Sequence, residues 1–191
     1  MNNQTDYKKV FEKLKEIRRQ PETQIKYADI WSIAHELAEA QYTPAIDYFA
    51  AGLDDHNWNW REDCIAFLGF HYPNLDEGIV KKFREMLLHD PESSVRLRAA
   101  GALGAHSKLP DQALMIALET DKNRFVREAA FVSILILAGL KGYKARKHGK
   151  NVESGAIQPN IETIQQILIE EGIDITLGLD RHRAENDAHI D

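Results

Sequence analysis

Apolar positions recur at helical spacing along nearly the whole chain. In most segments a hydrophobic residue is followed by others three, four and seven positions later, the spacing of one helix face. No segment gives a convincing strand pattern, and prolines at positions 44, 91 and 110 lie where first helical turns are expected. The pattern therefore predicts an all-α chain with helices over residues 5–19, 23–40, 43–53, 58–70, 75–89, 93–106, 110–120, 124–139 and 159–171.

Three of these segments share one residue pattern. They read "DHNWNWREDCIAFLG", "DPESSVRLRAAGALG" and "DKNRFVREAAFVSIL", and they open at Asp55, Asp90 and Asp121, so the spacing is 35 and then 31 residues. In each, an apolar residue stands five positions after the Asp, an Arg at six, a small residue at nine and a Leu or Ile at thirteen. A shorter amphipathic segment separates consecutive copies, so the repeating unit is predicted to be two antiparallel helices.

This pattern resembles the HEAT-repeat family in its short bacterial form, over residues 43–140. HEAT units of eukaryotes run to about 40–47 residues, so these are shorter. The resemblance implies a right-handed α-solenoid of antiparallel helix pairs, in which the Asp caps the turn and the Arg reaches acceptors in the next repeat. It also implies an organisation with atypical ends: N-terminal helices as a degenerate or capping repeat (1–42), the HEAT repeats (43–140), a basic loop (141–158), and a capping helix with a tail (159–191).

The alignment of the repeats assigns different environments to two neighbouring tryptophans. Trp60 occupies the apolar fifth position and is expected in the core. Trp58 falls where the other copies have Ser93 or Arg124, so its ring either lies half-buried over the loop or is an exposed anchor on a binding surface. Cys64, the one cysteine, fills the small-residue position and is predicted to be a buried, inert thiol.

Charge gives a bias about partners. The formal net charge is −6, from 24 Lys and Arg against 30 Asp and Glu, whereas general nucleic-acid binders are usually basic. Nucleic acid is therefore an unexpected partner. The exception is "KGYKARKHGK" (141–150), which is predicted to be either a solvated connection or a basic arm that contacts an acidic partner or nucleic acid through Tyr143, Lys144, Arg146 and Lys147.

The residues give no catalytic or metal-binding arrangement. His35 and Glu36 resemble half of a zinc-protease motif, but Glu39 stands where the second His is required, so a solvated His35–Glu39 pair is expected. His71 and His106 are predicted at helix C-termini. We expect no catalytic residues, no metal and no cofactor.

The expected location is the cytoplasm. The longest apolar run, residues 131–140, is too short to span a bilayer, and the N-terminus has no secretory signal. We expect a soluble chain without membrane contacts, and the pattern leaves its oligomeric state open.

A HEAT-type solenoid presents its second helices on the concave side, so their non-core positions are the predicted partner-binding surface. These positions are Trp58, Asn59, Glu62, Asp63, Arg98, Arg124, Phe125 and Glu128.

The leading functional hypothesis is a non-enzymatic protein-binding module. The chain looks like the immunity proteins of bacterial polymorphic toxin systems, which neutralise one cognate toxin, and an acidic inhibitor suits a basic nuclease. The alternatives are a HEAT-like DNA glycosylase, for which the predicted groove has few cations, and a bilin-lyase-like chaperone for a tetrapyrrole. Salt-dependent duplex binding would favour the first alternative, and visible absorbance on purification the second.

Overall fold

The computed structural model describes residues 5–20 and 26–174, and over these ranges the chain is entirely helical, without strands. The all-α prediction is confirmed. A 3₁₀ turn at Thr43–Ala45 precedes the third helix. The helices of the described residues are α1 (Tyr7–Arg18), α2 (Tyr27–Glu39), α3 (Ile46–Gly52), α4 (Trp58–His71), α5 (Glu77–His89), α6 (Ser93–His106), α7 (Gln112–Thr120), α8 (Arg124–Leu137), α9 (Gly142–Glu153) and α10 (Ile161–Glu170).

The predicted basic loop over 141–158 is wrong for most of its length. Residues Gly142–Glu153 form α9, and only the residues from 154 to 160 connect it to α10. The cause is a pair of small residues one helical turn apart, Ala145 and Gly149, which are buried and give α9 a narrow packing face.

The chain divides into two compact units, Met1–Leu75 (unit 1) and Asp76–Asp191 (unit 2). In unit 1, α2 packs against α1 and α4, and α3 packs against α4. The rings of Phe49, Trp60 and Phe67 lie with centroids 5.1–6.3 Å apart. Trp60 is 2% exposed, which confirms its predicted place in the core.

Unit 2 is organised around α8, which packs against α6, α7, α9 and α10. The approach of α6 to α8 is close: a Cβ on Gly104 would lie 2.7 Å from Oγ of Ser133 and 3.1 Å from its Cα. The Ser133 hydroxyl is satisfied because it donates to the Ala100 carbonyl at 2.8 Å. The last helix, α10, buries Ile164, Ile167 and Leu168.

The aligned Asp and Arg form the same hydrogen-bonded turn in all three repeats. The Asp carboxylate accepts the backbone N–H two residues further on, at 2.9, 2.9 and 2.8 Å for Asp55, Asp90 and Asp121. The Arg six residues later donates to the carbonyl of the same Asp, at 2.9, 3.0 and 2.6 Å for Arg61, Arg96 and Arg127. The sequence repeat is therefore a repeat of local structure, and the turn fixes where each second helix begins.

One arginine also links consecutive repeats. Arg96 donates from Nε and Nη2 to the two carboxylate oxygens of Asp121, at 2.7 and 3.0 Å. This contact confirms, for that pair, the prediction that an Arg reaches acceptors in the next repeat. In unit 1 the equivalent carboxylate, Asp55, accepts from Arg18 of α1 at 2.5 Å.

Candidate interaction surface

Several large hydrophobic side chains are exposed within the described residues. A single exposed apolar residue is ordinary, so position and surroundings decide whether it is informative. The exposed set is Trp31, Trp58 and Phe70 in unit 1, and Phe125, Tyr143 and Ile169 in unit 2, at 40–63% exposure.

Trp58 is the first residue of α4 and follows the repeated turn directly. Its side chain is 40% exposed, twenty times the fraction of Trp60 two residues later. Asn57 caps the helix by accepting the Asn59 N–H at 3.0 Å, so the backbone that carries Trp58 is held in place. The turn thus fixes the backbone from which the indole projects, and a large part of the Trp58 surface is in solvent.

Phe125 has a similar setting in unit 2. It is the second residue of α8 and is 41% exposed, and Asn123 caps the helix by accepting its N–H at 2.9 Å. The Arg124 guanidinium carbon lies 4.6 Å from the ring centroid, a cation–π contact that orients both exposed side chains. Both aromatics therefore belong to the first turn of a helix that begins at the repeated Asp turn.

Among the predicted unit 1 contacts, Asp63 has an internal role. Its carboxylate accepts the Tyr27 hydroxyl at 2.5 Å and so ties α4 to α2. Burial, together with this hydrogen bond, raises the pKa of Tyr27 above its ordinary value. Asn59 and Glu62 are half-buried beside it.

In unit 2, part of the predicted surface is covered. A Cβ on Gly149 would lie 3.2 Å from Oε1 of Glu128 and 2.7 Å from Val132, so α9 lies against this side of α8. Burial raises the pKa of Glu128, and the nearby Glu153 adds to the rise. Glu128 is therefore half-buried beside α9, the helix that forms where a loop was predicted, and its contact with a partner stays a prediction. Arg98 is half-buried, and Arg124 remains exposed.

The residues of the predicted basic loop also divide into exposed side chains and one that is paired within the chain. Tyr143, Arg146 and Lys147 are exposed on α9, whereas Lys144 forms an ion pair with Glu171. The hydrogen bond to Glu171 raises the pKa of Lys144, because its effect is larger than that of desolvation.

A histidine–aromatic cluster in unit 1 was not foreseen from the sequence. The His35 ring on α2 lies 4.6 Å from Trp31 and 5.2 Å from His71, measured between ring centroids. The predicted His35–Glu39 pair is present, with Nε2 of His35 3.8 Å from Oε1 of Glu39, and it belongs to this larger cluster. Burial, and then the neighbouring His35, lower the pKa of His71. The i, i+4 spacing of Trp31 and His35 was the available signal; His71 is close only through tertiary packing.

Chemical reactivity has little support among the described residues. Cys64 is fully buried, as predicted, and burial raises the pKa of its thiol, which disfavours the nucleophilic thiolate. No group of three or more His, Cys, Asp or Glu within residues 5–20 and 26–174 is placed to hold a metal ion.

No helix within residues 5–20 and 26–174 has both the length and the apolar character required to cross a bilayer.

A groove of about 550 Å³ lies in unit 2 beside the repeated turns. The C-terminal ends of α5 and α7 form its walls, and Arg96 and Asp121 line it. Because these two side chains are already paired with each other, they are constituents of the turn rather than groups poised for a ligand.

Comparison with known proteins gives no family model that matches the chain and no curated protein that matches it significantly. The resemblance to HEAT repeats therefore depends on the aligned residues and on the turn that they form.

Proposed function

We propose that this chain is a non-enzymatic protein-binding module built from HEAT-type helix pairs in an α-solenoid. The repeated Asp–Arg turn supports the architecture, because it recurs with the same hydrogen bonds at all three aligned copies. Solenoids of stacked helix pairs form extended concave surfaces, and they use these surfaces for binding.

The observation that carries the binding proposal is the pair of exposed aromatics on capped first turns. Trp58 and Phe125 are each about two-fifths exposed, and each follows an Asn-capped turn. An aromatic side chain on a fixed backbone loses little conformational freedom on binding, and Trp is enriched among the residues that dominate interface energies. Arg124 beside Phe125 adds an exposed cation.

The specific activity we propose is neutralisation of a cognate bacterial toxin, with a basic nuclease as the favoured partner. The net charge of −6 supports this choice, because opposite charge accelerates encounter with a basic protein and discourages binding to nucleic acid.

The test is to immobilise the chain and to capture its partner from a lysate of the native organism. We expect one protein to be retained in a stoichiometric complex, and Trp58→Ala or Phe125→Ala to weaken its binding by about 30-fold, as for an interface residue worth roughly 2 kcal/mol. Phe70→Ala is the matched control, because Phe70 is 51% exposed on the same helix as Trp58. The control variant is expected to bind as the wild type does.

The captured partner then tests the toxin proposal. One equivalent of the wild-type chain is expected to abolish the partner's nuclease activity or toxicity. A partner without toxicity would refute toxin neutralisation but leave protein binding in place. Salt-dependent retention of duplex DNA instead of a protein would contradict both.

A further inference from the structure

The exposed side of α9 carries an unusual row of side chains. Tyr143, Arg146, Lys147 and Lys150 are spaced i, i+3, i+4 and i+7, so they occupy one helix face, and all four are exposed. Tyr143 is 63% exposed, the largest value among the exposed hydrophobic side chains of the described residues. At 1.5 Å per residue the row is about 10 Å long. We call these four residues the basic row.

The opposite side of α9 fixes the direction of the basic row. Ala145 and Gly149 are buried, and Gly149 approaches Val132 and Glu128 of α8. At the start of the helix, Lys144 pairs with Glu171. Because these contacts hold α9 on one side, the row is presented to solvent by a packed helix rather than by a mobile arm.

Charge distribution limits the kind of ligand that fits. Residues 141–150 hold five of the chain's 24 Lys and Arg and none of its 30 Asp and Glu. A long polyanion that extends past the row would meet a chain in which carboxylates outnumber cations. A short acidic segment meets the row alone, and Arg146 can bind a carboxylate with two parallel hydrogen bonds.

We propose that the basic row is a docking surface for a short acidic segment of a partner protein, with two or three carboxylates on one face. Arg146, Lys147 and Lys150 supply the charge, and Tyr143 supplies an apolar ring and a hydroxyl at one end. The row shares no residue with Trp58 or Phe125, so the proposal does not depend on the toxin-binding function.

The probe is a fluorescein-labelled tetraglutamate peptide, and its binding to the full chain is followed by fluorescence anisotropy at low and at physiological salt. We expect saturable binding that weakens with salt. The variant Arg146→Gln/Lys147→Gln/Lys150→Gln is expected to bind about tenfold more weakly, because exposed ion pairs contribute modestly and three are removed.

The matched control is Lys8→Gln/Lys13→Gln/Lys81→Gln, which removes three exposed lysines outside α9 and changes the net charge equally. It is expected to bind within about twofold of the wild type, because it leaves the charges of the basic row in place. All substituted side chains are exposed, and circular dichroism verifies that both variants fold.

Three results would overturn the proposal. Absence of saturable peptide binding is one, and equal weakening by both triple variants is another, because it would indicate non-specific attraction. The third is tighter binding of a 12-base-pair duplex DNA than of the peptide, abolished by the row variant, which would assign the row to nucleic acid.

Discussion

At the scale of single residues, the Arg96–Asp121 pair shows what the repeat pattern means physically. The two side chains are only 15% and 7% exposed, and the guanidinium also donates to the Asp90 carbonyl. A buried ion pair need not stabilise more than an apolar substitute would, but removal of one partner leaves a charge buried without its counter-charge. The pair therefore acts mainly to fix how one repeat joins the next.

Arg96→Ala is expected to lower the free energy of unfolding of the chain by about 3 kcal/mol, because Asp121 then remains buried and charged. Urea denaturation measures this loss. In the double variant Arg96→Ala/Asp121→Ala the loss is expected to be smaller than the sum of the two single losses, since the orphaned charge is gone. Additive losses would mean that the two side chains do not act as a pair.

A second residue-scale prediction concerns pH. Burial and His35 lower the pKa of His71 below its ordinary 6.5, so the unfolded chain takes up a proton on this ring before the folded chain does. Stability is therefore expected to fall as pH decreases from about 6.5 through the lowered pKa of the folded state. His71→Gln should make the urea midpoint less sensitive to acid over that window.

His89→Gln is the control for this measurement, because His89 is exposed at the end of α5, outside the cluster. Its acid sensitivity should match that of the wild type. If His71→Gln retains the full acid sensitivity of the wild type, the cluster does not penalise the charged imidazole.

Residue environments that follow from the repeat alignment could be predicted from the sequence. Trp60 and Cys64 were placed in the core correctly, because the alignment compares them with Val95 and Ala99 at buried positions. The internal bond of Asp63 could not be predicted in this way. Its donor, Tyr27, lies 36 residues away on a helix outside the repeat pattern.

At the scale of elements, α9 shows how composition conceals a helix. A run of cations without acidic residues indicated a loop, yet a helix forms because Ala145 and Gly149 permit close packing on α8. The remaining helices were predicted well because each buries at least one large apolar side chain. For α9, the buried face is defined by what is small rather than by what is hydrophobic.

Two glycine substitutions in α9, compared with each other, test whether α9 packs closely on α8. Gly149→Ala is expected to destabilise the chain by about 1–3 kcal/mol through overpacking, because the new Cβ would lie 2.7 Å from Cγ2 of Val132. Gly142→Ala is the control: its Cβ would approach only the flexible end of Arg146, at 3.3 Å, so the higher helix propensity of alanine should leave stability unchanged or improved. Chemical denaturation that ranks the two variants in the opposite order would contradict the close packing of α9 on α8.

At the scale of the whole molecule, the range of the sequence repeat differs from the bounds of the two compact units. The aligned pattern groups residues 43–140, whereas the two compact units divide between Leu75 and Asp76, after the first aligned copy. The pattern reports hydrogen bonds within about ten residues of each Asp, and those recur. Contacts between distant helices depend on side-chain size at each packed position. That size changes between copies, as at position five, where Trp60 corresponds to Val95 and Val126, so the division into two units was not available from the sequence.

The candidate site was predictable to a similar extent. Trp58, Arg124 and Phe125 are exposed at the first turns where the pattern placed them, while Glu128 is half-buried beside α9. Whether these side chains contact a partner stays a prediction. It is the central claim of the account, because the turns, the caps and the cation–π contact all serve to hold these residues at the surface.

The most direct test is isothermal titration calorimetry of the captured partner with the wild-type chain and with Trp58→Ala, Phe125→Ala and Phe70→Ala. The account predicts one partner per chain, about 30-fold weaker binding for the first two variants, and wild-type affinity for the third. Equal affinity across all four proteins would contradict the claim that each capped aromatic contacts the partner.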